Sequence, residues 1–158
     1  MVAFENITTP LQFLHHAAGV CTLAVSVHFL MRCVQHWRTP QGWRGQLRLH
    51  ATLLLIFYGA TYVLGALIYP TFRVRVRGGF LDATFPWATG LFEIKEHGAT
   101  LMLLPVAGLF VMSRILDFSR SAHRPYAALV SVTVFLVVVV VGYNACLGWY
   151  LGVIGRDR

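Results

Sequence analysis

Four long stretches of apolar residues, separated by short polar segments, dominate the pattern along the chain. A helix rises about 1.5 Å per residue, so about 20 apolar residues in a row cross the hydrocarbon core of a bilayer. The pattern predicts membrane-spanning helices at Leu11–Gln35, Leu47–Tyr69, His97–Leu116 and Tyr126–Val153. We therefore expect a single domain, residues 1–158, folded as an all-α integral membrane bundle of four transmembrane helices. Because the number of spans is even, both termini should lie on the same side.

Composition supports a membrane protein. The chain has 158 residues, of which 57% are hydrophobic and only 12% are charged, and a soluble domain needs more charge on its surface. The formal net charge is +7, but the basic residues cluster at the ends of the predicted helices, where arginine anchors to lipid headgroups. We therefore expect the lipid bilayer and other membrane-complex subunits as partners, and no nucleic acid.

The distribution of basic residues predicts the orientation. The loops after the first and third predicted helices are short and rich in arginine, and such loops usually stay in the cytoplasm. We therefore predict an integral protein of the bacterial inner membrane with both termini outside. The basic residues of these two loops are Arg32, Arg38, Arg44, Arg48, Arg114, Arg120 and Arg124, against Arg73, Arg75, Arg77, Lys95, Arg156 and Arg158 on the opposite side.

Residues 70–96 form the one long predicted loop, and we expect it to lie along the outer membrane interface. Within it, apolar and basic residues alternate with period two, which predicts that Arg73, Arg75 and Arg77 point to one side. An arginine fork suits phosphate and carboxylate groups. The three arginines are therefore candidate partners of lipid headgroups or of haem propionates.

Histidines inside the apolar runs are the candidate functional residues, because an ionisable side chain at that depth is costly and marks a site. The first predicted helix carries His15, His16 and His28, the second carries His50, and the third begins at His97. His15 and His28 are separated by roughly 20 Å along the helix axis and point in different directions, so they cannot serve one compact centre. Depth instead pairs His15 or His16 with His97 near the outer face, and His28 with His50 near the inner face.

Two imidazoles from different helices at one depth are the axial arrangement that a b-type haem requires, since each neutral ring gives one nitrogen to iron. We therefore predict one or two haems b. In its architecture the sequence resembles the four-helix membrane cytochromes b that anchor dehydrogenases and exchange electrons with quinone. The resemblance implies a respiratory-complex subunit, at most the redox part of an oxidoreductase, that passes electrons between the quinone pool and a partner protein. The predicted haem ligands are His15 or His16, His97, His28 and His50.

Three other functions stay open. A non-haem metal or proton site could be built from His15, His16, Glu93, Glu96 and His97, since imidazole and carboxylate also suit zinc, copper or iron. The chain could instead be a structural accessory subunit without a cofactor. A small proton or metal-ion transporter is the third alternative, and it would need a continuous polar path through the bundle. The centres of the second and third predicted helices, and the whole fourth helix, carry few polar residues, which disfavours such a path.

Overall fold

The computed structural model of the protein describes residues 5–38, 43–117 and 124–154. All of these residues are helical except Phe85, Leu116 and Asp117. The elements follow one another as a short 3₁₀-helix (Glu5–Ile7), α1 (Thr8–Arg38), α2 (Trp43–Thr71), a π-helix (Phe72–Leu81), α3 (Asp82–Thr84), α4 (Pro86–Ile115) and α5 (Arg124–Ile154).

The protein is an all-α bundle of four transmembrane helices, so the predicted fold class is confirmed. Helices α1, α2, α4 and α5 are long and apolar enough to cross a membrane. Helix α1 packs against α2 and α5, and α4 packs against the same two neighbours. The four helices therefore form a ring in the order α1, α2, α4, α5, with α1 diagonally opposite α4. We call the end where α1 begins and α5 ends the terminal end, and the opposite end the loop end.

Helix α5 illustrates how the bundle is built. Val130, Val134, Val137 and Val141 recur every three or four residues, so they share one helical face, and all four are buried in the core. The residues on the other faces are equally apolar but exposed, as expected for a helix that contacts lipid. These exposed residues include Val132, Phe135, Leu136 and Val139.

The predicted period-two alternation after the second helix is wrong, because residues Phe72–Leu81 form a π-helix that follows directly on α2. Pro70 lies in the last turn of α2 and cannot donate the α-helical hydrogen bond, and the wider i→i+5 turns begin just after it. The Phe72 ring stacks on the Phe92 ring of α4, with 4.1 Å between their centroids. The π-helix is therefore held against the bundle, and α4 begins at Pro86, well before the predicted start of the third span.

Arg77 ties the terminal end together, whereas Arg73 and Arg75 are exposed. The Arg77 Nη2 donates to Glu93 Oε1 over 2.6 Å, and its Nε lies 3.7 Å from Asp82 Oδ1. The Asp82 carboxylate also accepts a hydrogen bond from the side chain of Thr89. The three arginines thus do not share one side, and Arg77 joins the π-helix to α3 and α4.

We expect Arg77→Met to lower the thermal unfolding midpoint of the purified protein, because it removes the cation that two carboxylates share. Arg73→Met is the matched control, since it removes an exposed arginine from the same segment. Unfolding is followed by circular dichroism in detergent. Equal midpoints for the two variants would show that the Arg77 contacts do not stabilise the terminal end.

Candidate functional site

Helix α1 turns polar side chains towards the inside of the bundle. Its buried residues include Thr22, Ser26 and His36, which recur at the spacing of one helical face. Several of them meet polar groups of α2. We call the following set the polar seam: His15, Thr22, Ser26 and His28 of α1, with Gln46, His50 and Thr61 of α2.

In the half of the polar seam nearer the terminal end, His15 and Thr22 of α1 both contact Thr61 of α2. The ring N–H at Nδ1 of His15 donates to the Thr61 carbonyl over 2.9 Å. The hydroxyls of Thr61 and Thr22 lie 3.0 Å apart, and each also donates to a carbonyl of its own helix. His15 and Thr22 thus meet two polar groups of the same residue, and the Thr22 side chain is 1% exposed. The Nε2 of His15 is left with its lone pair, since the proton is held at Nδ1.

The half nearer the loop end consists of two histidines in direct contact. The Nδ1 of His50 donates to the Gln46 carbonyl over 2.7 Å, so the neutral His50 ring has its lone pair at Nε2. This Nε2 lies 3.1 Å from Nδ1 of His28, which therefore donates to it when both rings are neutral. His50 is 3% exposed, whereas His28 is exposed on the surface of the bundle. The pair thus connects a buried imidazole to an exposed one.

Ser26 lies between the two halves. It is fully buried, and its hydroxyl donates to the Leu23 carbonyl over 2.9 Å, which leaves the oxygen free to accept. Along the α1 axis it lies about 6 Å from Thr22 and about 3 Å from His28, but two residues turn about 200° around the helix, so Ser26 and His28 leave α1 on different sides. A connection from Ser26 to the histidine pair therefore needs bridging water.

The structure places the other predicted histidines apart. His97 is exposed, and its Nδ1 donates to the Glu93 carbonyl of its own helix. Its helix lies diagonally across the bundle from α1. His16 is exposed, and its ring contacts the His15 ring edge-on. Among residues 5–38 and 43–117, no hydrogen bond or ring contact joins His97 to His15 or His16.

Comparison with protein families, curated proteins and solved structures gives no match. In the described part of the chain, no group of three or more His, Cys, Asp or Glu side chains could hold a metal ion. This gives no support to a non-haem metal centre built from His15, His16, Glu93, Glu96 and His97. A bis-histidine haem needs only two ligands, so the predicted haem ligands stay predictions.

Sequence reasoning missed Thr22, Ser26 and Thr61. The signal was present for α1, because Thr22 follows His15 after seven residues and Ser26 follows Thr22 after four, which places all three on one helical face. Serine and threonine hardly lower the mean hydropathy of a span. A search of the sequence for ionisable side chains alone therefore does not find them.

We expect Gly65→Ala to displace the His15 ring, because a Cβ at position 65 would lie 3.1 Å from His15 Cε1. Nitrogen-15 spectra of the labelled imidazole should then show a weakened hydrogen bond at Nδ1. Gly59→Ala is the matched control on the same helix, since a Cβ there meets nothing within 4 Å. An unchanged His15 signal in Gly65→Ala would contradict the contact.

Proposed function

We propose that the protein conducts protons across the bilayer along the polar seam. The observation that carries the proposal is the direct hydrogen bond between His28 and His50, at 3.1 Å. Histidine is the side chain whose proton exchanges most readily near neutral pH. An imidazole pair that joins a buried ring to an exposed ring is therefore suited to passing a proton rather than to holding a fixed charge.

The length of the polar seam supports this function. From His15 to His28 the path covers about 20 Å along α1, and Gln46 lies about one further turn towards the loop end. Together these distances approach the thickness of the hydrocarbon core, about 30 Å. Waters beside Ser26 would have to complete this path to give the polar route that a transporter needs. The path runs along the contact between α1 and α2, so the apolar centre of α4 and the apolar helix α5 do not block it.

The bonding of the two rings defines how a proton would pass. The Nδ1 of His50 is committed to the Gln46 carbonyl, so only its Nε2 exchanges protons. When a proton arrives on the exposed ring of His28, the Nδ1 proton of that ring can move to Nε2 of His50. His50 then carries two protons and releases the one at Nε2 to a water of the seam. His28 is left with its proton at Nε2, and its ring must turn over, or exchange protons with water at both nitrogens, before the next transfer.

Hydrogen bonds between membrane helices also serve as structural glue, and the threonine and serine contacts of the polar seam fit that role by themselves. Hydrogen bonds that only hold helices together do not require titratable groups, which are costly in a bilayer. The seam carries histidines at both of its levels, with His15 in one half and the His28–His50 pair in the other. This distribution favours proton transfer over packing alone.

The test is a proton flux measurement on the purified full-length protein in liposomes. Valinomycin and a potassium gradient set a membrane potential, and a trapped pH-sensitive dye reports the proton influx. We expect the lumen to acidify faster than in protein-free liposomes, and a protonophore defines the maximal signal. A rate equal to that of protein-free liposomes at several protein densities would overturn the proposal.

A second candidate function is electron transfer through one b-type haem held by His28 and His50. The donor chemistry fits, because both residues offer neutral imidazoles from two helices, and the Nδ1 bond to the Gln46 carbonyl aims Nε2 of His50 outward as a ligand. A haem would supply one-electron chemistry when bound. However, the two rings are in direct contact, and this contact would have to open for both to hold a haem. The Phe29 ring, 5.5 Å from the His50 ring between centroids, also occupies this region.

A reduced-minus-oxidised absorption spectrum distinguishes the two candidates. If the purified protein carries a b-type haem, the spectrum contains an α-band, and His50→Ala removes it. His97→Ala then reports whether a second haem exists near the terminal end. A spectrum without an α-band, recorded after expression with added haem precursor, would reject the electron carrier and leave the proton flux test unaffected.

A further inference from the structure

Lys95 places an ammonium group inside the bundle at the terminal end. It lies nine residues into α4, about 14 Å along the axis from the start of that helix. Its Nζ is 5.4 Å from the centroid of the Phe92 ring and would lie 3.9 Å from a Cβ built on Gly148 of α5. Lys95 is half-buried, and its ammonium lies between α4 and α5.

Two carboxylates at this end of the bundle are engaged elsewhere, since Glu93 and Asp82 both bind Arg77. Glu96 is the next residue of α4, but within the described residues no carboxylate oxygen comes within ion-pair distance of Lys95. A cation in an apolar interior without a counter-charge is unfavourable. Among residues 5–38, 43–117 and 124–154, the ammonium thus has no carboxylate bound to it.

Asn144 adds a second incomplete group at the same level. It lies one helical turn before Gly148 on α5, hence on the same face, about 6 Å away along the axis. Its Oδ1 is buried and has no hydrogen-bond partner in the part of the chain that the structure describes. An asparagine amide can present either its oxygen or, after a flip, its NH₂ group. The side chain can therefore donate to a ligand bound at Lys95.

We propose that Lys95 and Asn144 form a binding site for one oxyanion, a carboxylate or phosphate group, inside the terminal end of the bundle. Lys95 supplies the charge and its hydrogen bonds, and Asn144 supplies an amide N–H. One ammonium matches one negative charge. The oxyanion reaches the site either as the headgroup of a lipid-soluble acid or as a free ion from the water phase.

This site does not depend on proton conduction, since Lys95 and Asn144 lie outside the polar seam. The test uses the full chain in a maltoside detergent, which contains no phosphate or carboxylate, and isothermal titration calorimetry with four probes. Oleate represents a lipid-borne carboxylate, and methyl oleate is its uncharged control. Sodium acetate and inorganic phosphate represent free oxyanions.

We expect one charged probe to bind saturably and methyl oleate not to bind. Lys95→Met should weaken that binding at least about tenfold, because it removes a hydrogen bond to a charged group. Arg73→Met, which removes an exposed cation of the same end, should leave it unchanged. Asn144→Leu is the second variant, used in case Lys95→Met does not fold. It replaces the amide with an apolar side chain of similar size.

The pattern of binding assigns the source of the oxyanion. If oleate binds and neither acetate nor phosphate does, the oxyanion is a lipid-borne acid. If acetate or phosphate binds and oleate does not, it is a free ion. The proposal is overturned if no charged probe binds, or if both folded variants bind as tightly as the unaltered protein. The proposal is also overturned if methyl oleate binds as tightly as oleate, because the site would then recognise the hydrocarbon tail of the probe rather than its charge.

Discussion

His50→Leu is expected to reduce proton flux in liposomes to the rate of protein-free liposomes. His50 is the buried member of the histidine pair, and its Nε2 receives the hydrogen bond from His28. Leucine fills much of the same volume but can neither accept nor release a proton. The path is then cut where it connects the exposed ring to the buried part of the polar seam. The flux is measured at equal protein density, after circular dichroism has shown equal helix content.

The matched control is His97→Leu. His97 is also a histidine of a membrane helix, but it is exposed and bonds only to a carbonyl of its own helix. We expect this variant to retain the full flux. Equal flux in His50→Leu and His97→Leu would show that protons do not pass through the histidine pair, even if the protein conducts them by another route.

Thr22→Val is expected to lower the flux about fivefold, the factor that corresponds to the loss of one hydrogen bond of about 1 kcal/mol. Valine has nearly the shape of threonine but lacks the hydroxyl, so the link between Thr61 and the buried centre of the seam is lost. The helices should remain packed, because the methyl groups are kept. The readout is again the acidification rate of the liposome lumen.

Thr133→Val is the control for that variant. Its hydroxyl donates to the Leu129 carbonyl of α5, away from the seam, so its removal should leave the flux unchanged. A thermal midpoint measured for both variants separates a loss of stability from a loss of conduction. The prediction fails if Thr22→Val lowers the midpoint but not the flux, since the threonine would then act only as helix glue.

Much of the architecture can be predicted from the order of apolar and polar residues in the sequence. Four apolar stretches of membrane length predict four spans, because a backbone inside lipid must satisfy its own hydrogen bonds and a helix does so within one segment. Depth also follows from residue number, since each residue adds a fixed rise. For that reason the sequence alone could place His28 and His50 at the same level, where the structure brings their rings into contact.

Which helices are neighbours, and which face each one turns inward, was decided by the tertiary structure. In lipid the outward faces are as apolar as the core, so the hydrophobic pattern does not reveal the rotation of a helix about its axis. Packing places α4 diagonally from α1, which separates His97 from His15, and turns Lys95 rather than His97 towards the interior. The same packing turns Thr22 and Ser26 inward, and so creates a polar seam that the sequence did not predict.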